Sequence, residues 1–295
     1  MSIFREYDIR WVVGQDLTLD LTEEIGKAFG TYLIRQESSN ITLGRDVRLS
    51  SPALRERLVR GISSTGLDIT DIGVCPTPVL YFSLFRLPVQ GGVMITGSHN
   101  AAEFNGFKLC AGKGTLYGEE IQKIRRLVER KDYEKGTGTL KTSGVDPDYI
   151  DYLYSQFSSR LGQRRRPIKV VVDAGNGTAG AVAPGLLKKL GYEVVELYCE
   201  GDGRFPHHHP DPTVAENLED LIDKVRKTRA DLGIGYDGDA DRIGAVDEKG
   251  QIIWGDRLML IFARDILAKH RAGEPPHLHF RGQRFSSSLR RHPQT

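Results

Sequence analysis

The sequence predicts an α/β protein built of two consecutive globular units. Three observations predict it. Strand-like apolar runs alternate with helical patterns, the periodicity breaks around residues 136 to 148 and then resumes, and 295 residues suffice for two domains of ordinary size. In chain order, residues 21 to 36 read as an amphipathic helix, 41 to 45 as a short strand, and 52 to 65 as a helix with proline near its first turn. Val89 to Thr96 is mostly apolar and runs into Gly97-Ser98-His99-Asn100. Ser98 is thereby placed just past a strand end, where α/β proteins carry their chemistry. Lys108 follows Asn105-Gly106, and Gly118 to Lys131 is helical in pattern. Gly136-Thr137-Gly138 and Asp146-Pro147 mark the break.

In the second unit, a helical stretch at 148 to 161 and the run Arg164-Arg165-Arg166 precede a buried-strand candidate, Ile168 to Asp173. That strand feeds the turn Ala174-Gly175-Asn176-Gly177 and a helix to about Leu190. Tyr192 to Tyr198, Asp231 to Tyr236 and Ile243 to Val246 continue the strands, and a last helix begins near Asp256 with Leu258, Ile261, Phe262 and Leu267.

Composition excludes several classes. The 39% hydrophobic and 27% charged residues suit an ordinary globular chain, and a net charge of +2 argues neither for nor against nucleic acid, which is not expected as a partner. No apolar run approaches the roughly 18 residues of a spanning helix, and the N-terminus shows no signal-peptide pattern, so a cytoplasmic protein without membrane contact is expected. Cys75, Cys110 and Cys199 lack metal-ligand or disulfide-framework spacing and read as reduced thiols.

Asp237-Gly238-Asp239-Ala240-Asp241-Arg242 places three alternate carboxylates within five residues. Such a group repels itself unless a hard cation neutralises it, and oxygen-only ligands suit magnesium or calcium rather than zinc. An EF-hand loop would need glycine where Arg242 stands and helices where the flanks read as strands. A solvated aspartate turn between two strands remains the plain alternative, as a polar loop does for Thr96 to Asn100. Taken together, the carboxylates and the Ser98 hydroxyl, expected to be exposed, describe a metal-assisted phosphoryl site. The Gly175 turn could cradle a phosphate but reads better as a tight strand-to-helix connection, and the arginine run as a solvated surface. His207-His208-His209 lacks a third suitably spaced ligand for zinc, because side chains on an extended segment alternate sides.

The motifs extend beyond these two. Phe4-Arg5-Glu6-Tyr7-Asp8-Ile9-Arg10, Gly44-Arg45-Asp46 with Arg48 to Ser51, Thr96 to Asn100, Asn105-Gly106-Phe107-Lys108, Asp173-Ala174-Gly175-Asn176-Gly177 and Asp237 to Arg242 together resemble the alpha-D-phosphohexomutase superfamily over about residues 3 to 268. The opening Tyr-Asp-Ile-Arg and Ala240 favour the bacterial phosphomannomutase/phosphoglucomutase branch over the phosphoglucosamine mutases. The resemblance implies domain I over 1–146 with a phosphoserine loop, and domain II over 147–255 with a metal loop, each a mixed sheet flanked by helices. It also implies an incomplete domain III over 256–295, with domain IV absent. The implied reaction interconverts hexose 1-phosphate and hexose 6-phosphate, of mannose or glucose, through phosphoserine and a hexose 1,6-bisphosphate.

By the same resemblance Mg2+ is held by Ser98, Asp237, Asp239 and Asp241. Tyr7, Arg10 and Lys108 bind substrate, and Ser98, His99, Lys108 and Arg242 serve catalysis, with Lys108 the preferred acid/base. Three carboxylates and a phosphoserine exceed the charge of one divalent ion, which Arg242, Arg10 and Lys108 would offset. Trp11 stands where the family usually has glycine, and a bulky side chain there is expected to press on the loop of Arg10. From Arg271 onward the resemblance stops: five arginines face one acidic residue, Glu274, as a basic nucleic-acid-binding tail would have, but Pro275 to Gly282 stands where the family carries an apolar strand, and a reading-frame shift is the expected account. Loss of the later domains would leave a phosphoryl half-site with little mutase turnover, the alternative being a catalytically silent protein that binds only Mg2+ or sugar phosphate.

Overall fold

The computed structural model describes residues 3–161 and 167–269. The arginine run at 164–166 and the tail from 271 lie outside the described residues. The first unit comprises strands β1 (Ile9–Val12), β2 (Asn40–Arg45), β3 (Asp68–Val74), β4 (Gly91–Ile95), β5 (Phe104–Ala111), β6 (Gly114–Thr115) and β7 (Leu140–Thr142). Its helices are α1 (Leu19–Ile34), α2 (Ser51–Ser63), α3 (Thr77–Arg86) and α4 (Glu119–Arg130). The sheet order is β1-β5-β4-β2-β3-β7, with β6 on β5. β4, β2, β3 and β7 run parallel, whereas β5 is antiparallel to β1, β4 and β6, so the sheet is mixed.

Helix α5 (Asp146–Leu161) leads to the second sheet: β8 (Lys169–Asp173), β9 (Glu193–Leu197), β10 (Leu232–Tyr236), β11 (Ile243–Asp247) and β12 (Ile252–Ile253), with α6 (Ala183–Lys189) and α7 (Glu219–Thr228). The order is β12-β11-β10-β8-β9, parallel from β10 to β9 and antiparallel beyond. Helix α8 (Gly255–Lys269) closes the described chain. Its Met259, Leu260, Ile261, Phe262 and Leu267 are exposed.

Local chemistry explains the element ends. Thr18 caps α1 by accepting the Leu21 N–H, and Pro52 and Pro78 sit in the first turns of α2 and α3, where a missing N–H costs nothing. Two glycines let α1 and α2 cross closely: a Cβ at Gly61 would lie 2.2 Å from the Glu23 carbonyl oxygen, and one at Gly26 2.6 Å from that of Leu58. Buried Phe29, Leu33, Leu54, Leu58 and Ile62 from that helix pair pack on Ile41, Val93 and Phe107 of the sheet. On the other face, Val79 and Leu80 of α3 pack with Met94, Val145 and Val182.

The helix expected to reach Leu190 is instead a 3-10 turn at Thr178–Ala181 followed by α6, because Pro184 cannot continue the earlier hydrogen-bond ladder. The stretch Asp68–Arg86, unassigned by pattern, supplies β3 and α3.

Candidate active site

Ser98 lies three residues past the end of β4 and Asp237 directly past the end of β10; the two sheets point these strand ends at each other. The Ser98 hydroxyl donates to Asp237 Oδ2 at 2.7 Å and lies 3.2 Å from His99 Nδ1. Contrary to the expected exposure, Ser98 is only 2% exposed, because the aspartate loop covers it: a Cβ at Gly238 would lie 2.6 Å from the Ser98 carbonyl oxygen. Ser98 holds φ +49, a left-handed conformation uncommon for a side-chain-bearing residue, and its N–H donates to Thr96 Oγ1 at 2.8 Å.

The aspartate loop closes on itself: Asp237 Oδ1 accepts the N–H groups of Asp241 and Arg242, both at 3.0 Å. Its flanks are β10 and β11, strands rather than the helices an EF-hand demands. Asp237 and Asp239 are buried and Asp241 is exposed, and each offers an oxygen within 4.8 Å of the others. Burial pushes the Asp237 carboxyl up to about 8, and the charges of Asp239 and Asp241 push the same way. Asp239 moves oppositely. Burial works against its charge, but Lys108, with help from the Thr77 hydroxyl, prevails and holds this carboxyl well below the usual range.

Lys108 comes from β5, opposite Met94 of β4, and its Nζ lies 2.6 Å from both Asp239 Oδ2 and Asp241 Oδ2. Burial disfavours its charge, but the two carboxylates outweigh burial and raise the ammonium above the ordinary lysine range. The His99 imidazole goes the other way, held below its usual value by burial and then by Arg242.

Arg10 is buried beneath the serine loop, donating to the Gly97 carbonyl at 3.0 Å and Asn100 Oδ1 at 2.7 Å while pairing with Asp8 at 2.6 Å. Trp11 is turned away from it. Successive strand residues face opposite sides, and Trp11 packs on the core with the Arg5 guanidinium 5.4 Å from its ring. Arg242 is exposed, with Nε 4.0 Å from Asp241. Tyr7 is 71% exposed and makes no hydrogen bond to the other candidates among the described residues. The structure thus gathers Ser98, His99, Lys108 and the three aspartates, seats Arg10 under the serine loop, and leaves Tyr7 and Arg242 at the surface.

One residue was missed from sequence. Fully buried Thr77 donates its hydroxyl to Asp239 Oδ2 at 2.6 Å and its N–H to the Asp239 carbonyl at 2.9 Å. The Pro76-Thr77-Pro78 strand-to-helix junction was its available signal. The histidine run turns to other partners: His207 stacks on Tyr198 at 3.8 Å and meets Asn176 Oδ1, while His208 pairs with Asp173 at 3.1 Å.

A hard divalent cation fits this group. The donors are all oxygen, Asp239 Oδ1 is buried without a hydrogen-bond partner among the described residues, and the three carboxylates, once all are ionised, exceed the Lys108 charge by two.

The family pattern described as phosphoglucomutase/phosphomannomutase, alpha/beta/alpha domain I, matches residues 1–135, and the domain II pattern matches residues 147–250. The chain is 44% identical over 269 residues to a phosphomannomutase/phosphoglucomutase of Pseudomonas aeruginosa, covering 91% of this chain and 57% of that protein. It is 42% identical over 271 residues to a phosphoglucomutase of Neisseria gonorrhoeae, covering 91% and 58%. A crystal structure of a phosphoglucomutase/phosphomannomutase family protein from Burkholderia thailandensis matches with a TM-score of 0.84 at 40% identity, covering 90% of this chain and 59% of that one. The chain therefore spans under three-fifths of the length of these relatives.

Proposed function

The chain belongs to the phosphoglucomutase/phosphomannomutase family, and on that premise we propose that Ser98 carries a phosphoryl group between hydroxyls of a hexose phosphate. The observation that carries this reading is the Ser98 hydroxyl, 2.7 Å from Asp237 within a three-carboxylate cluster. Ser98 Oγ bonds to phosphorus of a hexose 1,6-bisphosphate as the sugar O–P bond breaks; the serine proton leaves and the sugar oxygen gains one. His99 Nδ1, 3.2 Å away on an imidazole held below its usual value, is suited to accept that proton. Lys108, kept protonated by Asp239 and Asp241, is suited to supply the sugar oxygen.

Transfer back to the 1- or 6-hydroxyl of a mannose or glucose monophosphate completes the exchange. Mg2+, held by Asp237, Asp239, Asp241 and the Ser98 oxygen, would supply charge neutralisation at the transferring group. Arg242 and Tyr7, both exposed, are assigned to the sugar phosphate, and Arg10 to seating the serine loop.

Incubation with glucose 1,6-bisphosphate and Mg2+ should add the mass of one phosphoryl group to the intact chain, and Ser98→Ala should abolish the addition. A chain that binds Mg2+ but never gains that mass refutes the transfer reading and leaves binding alone. Conversion of mannose 1-phosphate to mannose 6-phosphate, followed in a coupled assay, then measures turnover.

A further inference from the structure

Arg48, between β2 and α2, has a fully buried side chain that the proposed chemistry does not use. All five of its guanidinium N–H donors find acceptors. Nη2 donates to the carbonyls of Ser98 at 2.8 Å and Asn100 at 2.6 Å, Nη1 to those of Phe104 at 3.0 Å and Ala101, and Nε to Asp46 Oδ2 at 3.1 Å. Asp46 fixes the fork in turn, accepting the Gly97 N–H at 3.0 Å and the Ser51 hydroxyl at 2.6 Å. Gly97 and Arg48 fit as one device: a Cβ at Gly97 would lie 2.4 Å from Arg48 Cζ and Nε. The face of the guanidinium meets the Phe205 ring of the second unit at 5.1 Å. That loop is pressed onto the first unit, since a Cβ at Gly203 would lie 2.4 Å from the Val47 carbonyl oxygen.

We propose that Arg48, covered by Phe205, is the positioning residue that holds residues 97–104 in the shape presenting Ser98 to the aspartate cluster. It acts through the backbone, because its buried guanidinium has no donor left for substrate. Four carbonyl bonds from one planar group hold the left-handed Ser98 against relaxation. Lysine has three donors and no fork, so Arg48→Lys keeps the charge and loses the geometry. The consequence for transfer rests on the phosphoryl-carrier reading of Ser98.

The test compares the full chain with Arg48→Lys by amide hydrogen exchange of segments 97–104 and 169–173, and by the rate of phosphoryl incorporation from glucose 1,6-bisphosphate. Exchange over 97–104 should quicken by about tenfold or more while β8 stays unchanged. Incorporation should slow by about tenfold to 100-fold, the cost of a misplacement of about 1 Å, with the half-saturating bisphosphate concentration unchanged. Unchanged exchange over 97–104 overturns the proposal, as does a loosened loop that still transfers at the wild-type rate. If wild type takes up no phosphoryl group, the carrier reading fails and the exchange comparison still decides the role of Arg48. Should Arg48→Lys fail to fold, Phe205→Leu, which uncovers the guanidinium and lets water compete for its carbonyl bonds, must still quicken exchange over 97–104; wild-type exchange in that variant overturns the proposal.

Discussion

Replacing Lys108 by methionine removes the cation that Asp239 depends on while keeping most of the side-chain volume. The Lys108 side chain is 11% exposed and Asp239 0%, with Nζ and Oδ2 2.6 Å apart, so this contact is a buried ion pair. Removing one partner of such a pair costs about 3–5 kcal/mol, because the remaining charge stays buried and uncompensated. The second contact, to Asp241 at 29% exposure, adds little, since partly solvated pairs contribute about 0–1 kcal/mol. The expected loss in Mg2+-free buffer near neutral pH is therefore about 3 kcal/mol.

Urea unfolding followed by fluorescence of Trp11, in a Trp254→Phe background, measures it on the sheet that carries Lys108. The pH dependence has a definite sign. Asp239 titrates lower in the folded chain than its unfolded value of 3.8, so its contribution is present above that value and is lost as pH falls through the folded one. The difference between wild type and Lys108→Met should close in acid and open as pH rises above 3.8. Saturating Mg2+ should narrow it, because an ion bound only by the folded chain stabilises by mass action and replaces the lost cation. A variant within about 1 kcal/mol of wild type at neutral pH would refute this account of the cluster.

Thr77→Val removes a hydroxyl that orients Asp239 and should weaken Mg2+ binding by about 10–100-fold, whereas Thr77→Ser should restore it; titration calorimetry distinguishes them. Burial disfavours the His208 imidazolium, but the hydrogen bond and charge of Asp173 outweigh it and raise its titration above 6.5. Its stabilisation is complete below 6.5 and fades as pH rises through the folded value, so urea midpoints should decline over that window in wild type but not in His208→Gln. Gly61→Ala drives a Cβ to 2.2 Å from the Glu23 carbonyl oxygen and should cost about 1–3 kcal/mol or more by forcing α1 and α2 apart, read by urea midpoint.

What could be read from sequence divides along contact range. Thr96 to Asn100 and Asp237 to Arg242 are contiguous, and each follows an apolar run, so their residues and placement at strand ends were visible. Their meeting across 139 positions was not, and neither was the covered state of Ser98 that results from it. Thr77 and Asp239 stand 162 residues apart, and no periodicity encodes a side chain that reaches the other sheet. Strand β3 was obscured because Asp68-Ile69-Thr70-Asp71-Ile72-Gly73-Val74 carries two aspartates that a propensity reading discounts. One of these is 5% exposed, satisfied by Arg55 at 2.6 Å, so tertiary pairing overrides propensity.

Charge placement separates the cations of the site by role. Arg48 is buried with every donor engaged by a carbonyl or carboxylate, and buried Arg10 is held through Nη1 and Nη2 by Gly97, Asn100 and Asp8, its Nε being without a partner among the described residues. Lys108 is committed to Asp239 and Asp241. A phosphoryl group on Ser98 would add about −1.5 to −2 of charge beside a cluster whose carboxylates, once all are ionised by a bound cation, exceed Lys108 by two. One divalent ion balances the cluster but not the newcomer, and moving a committed arginine would leave buried carbonyls without donors, at about 1–3 kcal/mol each. Arg242 stands otherwise: exposed, 4.0 Å from Asp241, and tethered through its backbone N–H to Asp237 Oδ1. It can therefore turn toward added anionic charge without breaking a buried contact, which makes it the cation suited to the arriving phosphoryl group. Arg242→Ala should accordingly leave the urea midpoint of the unphosphorylated chain near wild type while slowing phosphoryl incorporation, and a large fall in the midpoint would show that this guanidinium is committed to the fold after all.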